Sequence, residues 1–250
     1  MEGTAENAAP RSLTVAYVEG VTPGKWFGRW KSRMPGVALS SWQTDAAGQL
    51  TPLREGEADM SFVRLPIDDA GLHVIPLYME AAVVVMGRDH ELTICGDVTQ
   101  AELDDENVLR ADEHGFKLLI ELVATGVGVA VVPMSIARLY ARKDVVYRPI
   151  PDVAGTRIAL VWPKEPEAAA RDSATDDTAG MKRAELLEEF IGIVRGRTAN
   201  SSRQPSTRQQ QKREQKQRGG QDSGPRGSKK SGKRWGPAGR RPRGRPPRRH

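Results

Sequence analysis

The chain has one cysteine, Cys95, in 250 residues. No disulfide can form within it, and no metal site built on several thiolates can exist. Aromatic residues make up 5% of the total, and the four histidines (His73, His90, His114 and His250) lie far apart, without metal-binding spacing. No apolar run approaches the roughly 18–20 residues of a membrane-spanning helix, so no membrane partner is expected. Residues 1–11 carry Glu2 and Glu6 and lack a hydrophobic segment, so they do not read as a secretory signal and form a flexible N-terminus, 1–12. These absences together fit a cytoplasmic protein.

What is present is unevenly distributed. Seventeen of the 38 Lys and Arg residues fall in 201–250, against two of the 32 acidic ones, Glu214 and Asp222, which leaves that segment at +15. Residues 1–200 hold the other 21 basic and 30 acidic side chains, a net −9. The basic segment contains no Val, Leu, Ile, Met or Phe, and Trp235 is its one large apolar residue. It cannot bury enough surface to offset its ordering entropy, so 196–250 is expected to be a disordered basic tail.

The preceding part alternates apolar runs with helical patterns. Residues 13–18 (LTVAYV), 37–42, 60–63, 72–77, 81–86 (AAVVVM), 127–132 (VGVAVV) and 157–162 (RIALVW) read as strands. Thr22 and Pro23 suit an N-cap and a first helical residue, and Trp26, Trp30 and Met34 then share one helical face. A short helix fits 49–55, a turn or two of helix 98–103 with Asp97 as cap, and a weak strand 108–111. Helices follow over 114–124, over 135–140 with Ser135 as cap, and over 182–194; 165–180 reads as a loop. Strand, helix, strand, helix, strand over the first 65 residues predicts a parallel sheet with helices on its faces.

The order and the stretches LREGEADMSFVR (53–64), GLHVIPLYMEAAVVVMGRDHEL (71–92), ELVATGVGVAVVPMSIARL (121–139) and DVAGTRIALVWPKE (152–165) resemble the effector-binding domain of LysR-type transcriptional regulators. The resemblance covers about 13–195. It implies a periplasmic-binding-protein-like (type II) α/β fold, with mostly parallel sheets in two lobes and a ligand cleft between them. Lobe I would take about 13–85 and 157–195, and lobe II about 86–156. Two departures stand out. The first strand starts at Leu13, leaving no room ahead of it for the winged helix-turn-helix of such regulators. Only 107–113 fills a gap where the family places strand, helix and strand, so the second lobe is expected to be shortened. A missing strand would expose a sheet edge. Either another chain covers that edge, making a homo-oligomer, or the lobe is poorly ordered.

Ligands of open α/β sheets sit beyond the carboxyl ends of strands, near helix N-termini. Thr22, Thr44, Arg64 and Ser135 occupy those places and match the family's contact positions. Each also has a plainer role open to it: Thr22 and Ser135 as helix caps, Thr44 as a loop hydroxyl, Arg64 as the partner of Asp68 or Asp69. As a ligand residue, Arg64 would donate to a carboxylate on a small anionic metabolite. Trp26 and Trp30 read as core or interface, His73 and His90 as structural, and Asp104, Asp105 and Glu106 as a solvated loop. No nucleophile, base and orienting acid can be placed together, and Gly126 and Gly128 lack the third glycine of a dinucleotide site. The chain is therefore expected not to be an enzyme and to carry no cofactor or metal. The tail, with Arg240, Arg241, Arg243, Arg245, Arg248 and Arg249 at its end, suits non-specific nucleic-acid contacts, docking on the acidic body, or no partner at all. Three functions follow in order: a LysR-like effector-binding protein in transcriptional control, an interaction or scaffold module that has lost its cleft, and a solute-binding receptor.

Overall fold

A computed structural model of the chain describes residues 12–111, 115–164 and 183–198. The expected N-terminal segment, the loop over 165–180 and the basic tail from residue 199 lie outside the described residues. In chain order the strands are β1 (Ser12–Val18), β2 (Ala38–Thr44), β3 (Met60–Leu65), β4 (Leu72–Glu80), β5 (Ala82–Gly87), β6 (Val108–Leu109), β7 (Val129–Pro133), β8 (Val145–Pro149) and β9 (Thr156–Pro163). The helices are α1 (Gly24–Arg33), α2 (Thr51–Arg54), α3 (Gly115–Ala124), α4 (Met134–Leu139) and α5 (Arg183–Val194).

Two sheets form, in the orders β2-β1-β3-β9-β4 and β6-β7-β5-β8. They are mixed, which corrects the expectation of mostly parallel sheets. Strand β1 runs parallel to β2 and β3, and β6 parallel to β7, but β9 is antiparallel to both β3 and β4, and β5 to both β7 and β8. The antiparallel strands are the ones that cross between lobes. The chain leaves the first sheet through β4, enters the second as β5, and returns as β9 against the direction of β3. Both β5 and β9 are buried on both faces, and such uniformly apolar runs carry no signal of direction. The exchange of sheets falls at Ala81, a few residues before the expected boundary near 85.

The first lobe owes its core to aromatic side chains. Trp26 stacks on Phe62 with ring centroids 4.9 Å apart, and Trp30 meets Phe190 of α5 edge-on at 5.8 Å. Trp30 Nε1 donates to the Val37 carbonyl at 3.1 Å, which satisfies the one polar atom that burial would orphan. The Trp26–Trp30 pair is thus core. On the other face of the sheet, Leu50 and Leu53 pack against Ala16, Val63, Ala159 and Val161. Strand β4 extends to Glu80, beyond the expected residue 77, with a register shift between Pro76 and Tyr78 where proline offers no N–H to the ladder.

The second lobe has a four-stranded sheet against the five strands of the first. Its α3 buries Leu119, Ile120 and Val123 against β5 and β7, while Val98 and Leu103 cover the other face. A 3₁₀ turn over Gln100–Leu103 replaces the expected α-turns, and Thr99, not Asp97, caps it, with Glu102 closing a capping box. His73 stacks on Trp162, and His90 meets Glu106 at 3.2 Å while accepting from the Leu92 amide. Asp104 and Asp105 are exposed.

Candidate functional site

A cavity of about 670 Å³ opens where the two lobes meet. Tyr17, Gly20, Val21, Thr22 and Gln43 from the ends of β1 and β2 form one wall; Tyr78, Met79, Glu80 and Ala81 form the floor at the crossover; Met134, Ser135, Arg138 and Leu139 of α4 form the opposite wall. These are the carboxyl ends of β1 and β2 and the helix that follows β7, the places from which such sheets bind ligands.

Behind the cavity lies a buried polar cluster centred on Arg64. Its Nε donates to Glu80 Oε2 at 2.9 Å, and its Nη2 to the Glu19 carbonyl at 3.0 Å and to Ser135 Oγ at 3.4 Å. The Arg64 and Glu80 side chains are 7% and 4% exposed. The backbone at Arg64 lies beyond the end of the β1 pairing, and the Gln49 side chain replaces the missing strand. Its Oε1 accepts from the Arg64 amide at 2.7 Å and its Nε2 donates to the Arg64 carbonyl at 3.1 Å. Among the described residues, three buried polar atoms here have no hydrogen-bond partner: Arg64 Nη1, Glu19 Oε1 and Thr44 Oγ1.

Among the described residues two side-chain hydrogen bonds cross from lobe to lobe here. One is Arg64 to Ser135. In the other, Tyr140 Oη donates to Glu19 Oε2 at 2.6 Å. Burial first, and then the Glu19 carboxylate, push the Tyr140 hydroxyl up to about 12 from its ordinary 10.0. Gly20 sits between the walls at φ +86°, and a Cβ there would come within 2.6 Å of Ser135 Oγ. Glycine is required on both counts, conformation and space.

The four residues picked from sequence therefore divide. Thr22 and Ser135 line the cavity; Arg64 reaches it only through Glu80 and Ser135, which do line it, and Thr44, at the end of β2, is half-buried. The capping roles do not hold. Helix α1 starts after Pro23 and α4 after Pro133, and neither has a side-chain cap. Arg64 does not pair with Asp68 or Asp69; Asp68 instead bonds Arg54 at 2.8 Å. Sequence reasoning missed Glu80, Tyr140 and Arg138. Glu80 did carry a signal, because a carboxylate abutting the AAVVVM run must find a partner if it is buried with that run. Arg138 is the cavity's cationic side chain and forms no ion pair among the described residues. Among the described residues no three His, Cys, Asp or Glu side chains gather to hold a metal ion, and no helix is long and apolar enough to cross a membrane.

Solved structures share this architecture. The BenM effector binding domain with its effector benzoate is 20% identical with a TM-score of 0.55, over 76% of this chain and 96% of that one. The reduced form of the OxyR regulatory domain from Pseudomonas aeruginosa is 21% identical with a TM-score of 0.54, over 75% and 96%. At these identities the likeness is one of fold. Among curated proteins, the Hca operon transcriptional activator HcaR of Escherichia coli is 24% identical over 76% of this chain and 69% of its own length. The HTH-type transcriptional regulator AlsR of Bacillus subtilis is 22% identical over 48% of each. The chain thus spans about half to two thirds of these regulators. The family model of the LysR substrate binding domain matches residues 10–118 and 114–174, most of the described chain, and the two stretches meet at the place where the second lobe is short. The chain belongs to the LysR substrate binding domain family.

Proposed function

We propose that the chain is the effector-sensing part of a LysR-type regulator and that a small anionic metabolite occupies the cavity between the lobes. The observation that carries this reading is the cavity itself, at the strand ends, walled by both lobes and backed by a buried polar cluster that ties one lobe to the other. The ligand's anionic end meets Arg138, which has no ion-pair partner among the described residues, and its apolar body lies against Val21, Met79 and Leu139. Thr22 and Ser135 supply hydroxyls to its polar atoms. Arg64 is neutralised by Glu80, so its part is to fix Glu80 and Ser135, while the Thr44 hydroxyl is held in reserve at the end of β2. Because the lobes touch through Arg64–Ser135 and Tyr140–Glu19, a ligand that changes their separation changes these two bonds. The protein works in the cytoplasm as a homo-oligomer. The arginines at 240, 241, 243, 245, 248 and 249 add sequence-tolerant affinity for nucleic acid through phosphate contacts.

Benzoate, a small aromatic carboxylate, is a suitable first probe, followed by aliphatic mono- and dicarboxylates of similar size. Isothermal titration of the full chain should show saturable binding to at least one of them. Arg138→Ala should weaken it by about tenfold or more, the loss of one charge-assisted contact, without lowering thermal stability. Binding that ignores Arg138→Ala and Ser135→Ala alike would place the ligand elsewhere. A lost cleft, the scaffold reading, has one feature in its favour, the short second sheet; it requires that no carboxylate binds at all.

A further inference from the structure

The charged groups where the lobes meet are not all paired. Arg64 and Glu80 neutralise one another at 2.9 Å, both buried. Two opposite charges then stand without an ion-pair partner among the described residues, one in each lobe: Glu19, just after β1, and Arg138, in α4. Arg138 lines the cavity, and Glu19 precedes Gly20, which lines it too. Glu19 is 4% exposed. A carboxylate taken out of water is costly unless a cation or several donors meet it. Here Oε2 receives one neutral donor, the Tyr140 hydroxyl at 2.6 Å, and Oε1 receives none among the described residues.

Glu19 is nevertheless held in place from several sides. Its amide donates to the Thr44 carbonyl at the end of β2, 2.9 Å away, and its carbonyl accepts from Arg64 Nη2 of β3 at 3.0 Å. Its side chain is fixed by Tyr140, the residue after α4. Burial, then Glu19, then Asp45 raise the Tyr140 hydroxyl above its ordinary value, so Asp45 directs a second negative charge at the same place. The result is a pre-positioned carboxylate in a negative surrounding, with one oxygen unfilled. Buried acceptors are normally satisfied, and one left open beside a ligand cavity suits a donor that the ligand supplies.

We propose that the ligand of the cavity carries an ammonium group besides its carboxylate, as an amino acid does, and that Glu19 Oε1 receives the ammonium. This rests on the cleft of the preceding section and narrows the class of its ligand. The carboxylate meets Arg138 in the second lobe and the ammonium meets Glu19 in the first, so each unpaired charge is met by its opposite. A carboxylate without an amine pairs with Arg138 and leaves Glu19 as it was. An ammonium is a compact charge with three donors, which suits a carboxylate that has a single open oxygen. Because the two partners belong to different lobes, such a zwitterion spans both walls. It thereby biases the separation of the lobes, which a ligand held by one wall does not.

The test is isothermal titration of the full chain with amino acids and with the same acids lacking the amine. The pairs are leucine and 4-methylpentanoate, phenylalanine and 3-phenylpropanoate, and glutamate and glutarate. In at least one pair the amino acid should bind about tenfold tighter or more, the effect of one charge-assisted contact. Glu19→Gln keeps an oxygen for the Tyr140 hydroxyl and removes the charge. It should abolish the preference by weakening the amino acid, and leave the matching carboxylate within about twofold. The comparison on the wild-type chain needs no variant and decides the ammonium even if Glu19→Gln does not fold. Carboxylates that bind as tightly as their amino acids, or tighter, would overturn the ammonium and leave the cleft standing. A preference that survives Glu19→Gln would overturn Glu19 as its partner. Binding in neither series would overturn both the ammonium and the cleft.

Discussion

Replacing Arg64 by Met should be among the costliest single changes in the first lobe, and the reason is electrostatic. It strands the Glu80 carboxylate, 4% exposed, with Thr156 Oγ1 at 3.4 Å the one alternative donor among the described residues, and it removes the donor to the Glu19 carbonyl. Breaking one side of a buried pair costs about 3–5 kcal/mol, because the remaining charge is left uncompensated in a poorly polarisable site. Glu80→Gln should cost less, about 1–3 kcal/mol, since the amide oxygen still accepts from Arg64 Nε. Arg64→Met with Glu80→Gln removes both charges, and should recover about 2 kcal/mol or more of the summed single losses. Urea unfolding followed by the fluorescence of buried Trp26 and Trp30 reads all three. At a slope of about 2 kcal/mol per molar urea, Arg64→Met should lower the midpoint by about 1.5–2.5 M. Losses that add within about 0.5 kcal/mol would show that the two side chains do not depend on one another, and would refute the buried pair.

Gly20→Ala should destabilise the chain by about 1–3 kcal/mol, from strain at positive φ and a clash with Ser135, and Gly20→Ala with Ser135→Ala should relieve only the clash, as calorimetry can measure. Tyr140 has a folded-state value raised to about 12, above its ordinary 10.0, so its contribution is complete below pH 10 and is lost as pH rises toward 12; urea midpoints of wild type and Tyr140→Phe should therefore converge over that window. Replacing the arginines at 240, 241, 243, 245, 248 and 249 with Ser should weaken duplex binding equally on unrelated sequences. It should also flatten a salt slope of about −4 to −7, the value for roughly five to eight phosphates, as filter binding across salt will show.

The sequence revealed those parts of the fold that depend on neighbours along the chain. The apolar runs of β1, β3, β5 and β9 and the helical spacing of α3 and α5 are local signals, and each element lies within a few residues of its expected place. The end of β4 was hidden by Pro76 and by the polar Tyr78 and Glu80, which sit in the strand because the opposing β9 holds them there. Strand direction was hidden because residues buried on both faces look alike either way up. In the site, the ends of β1, β2 and β3 were legible as a rule of α/β sheets, which brought Thr22, Thr44 and Arg64 to attention. Their partners were not legible. Arg64 has Asp68 nearby in sequence, but its side chain runs back across the sheet to Glu80 and Glu19, a choice made only when β4 and β1 are assembled around it. Arg138 and Tyr140 belong to the other lobe, and only the docking of α4 places them at the cavity.

The most direct test of a ligand cleft between the lobes is to follow backbone amide shifts by NMR as benzoate and then the aliphatic carboxylates are titrated into the full chain. The account predicts saturable shifts at Gly20, Val21, Thr22, Met134 and Ser135, from both walls and with one dissociation constant. Saturation of the whole panel with those amides unmoved, or shifts confined to residues 184–191 at the far end of the first lobe, would contradict it.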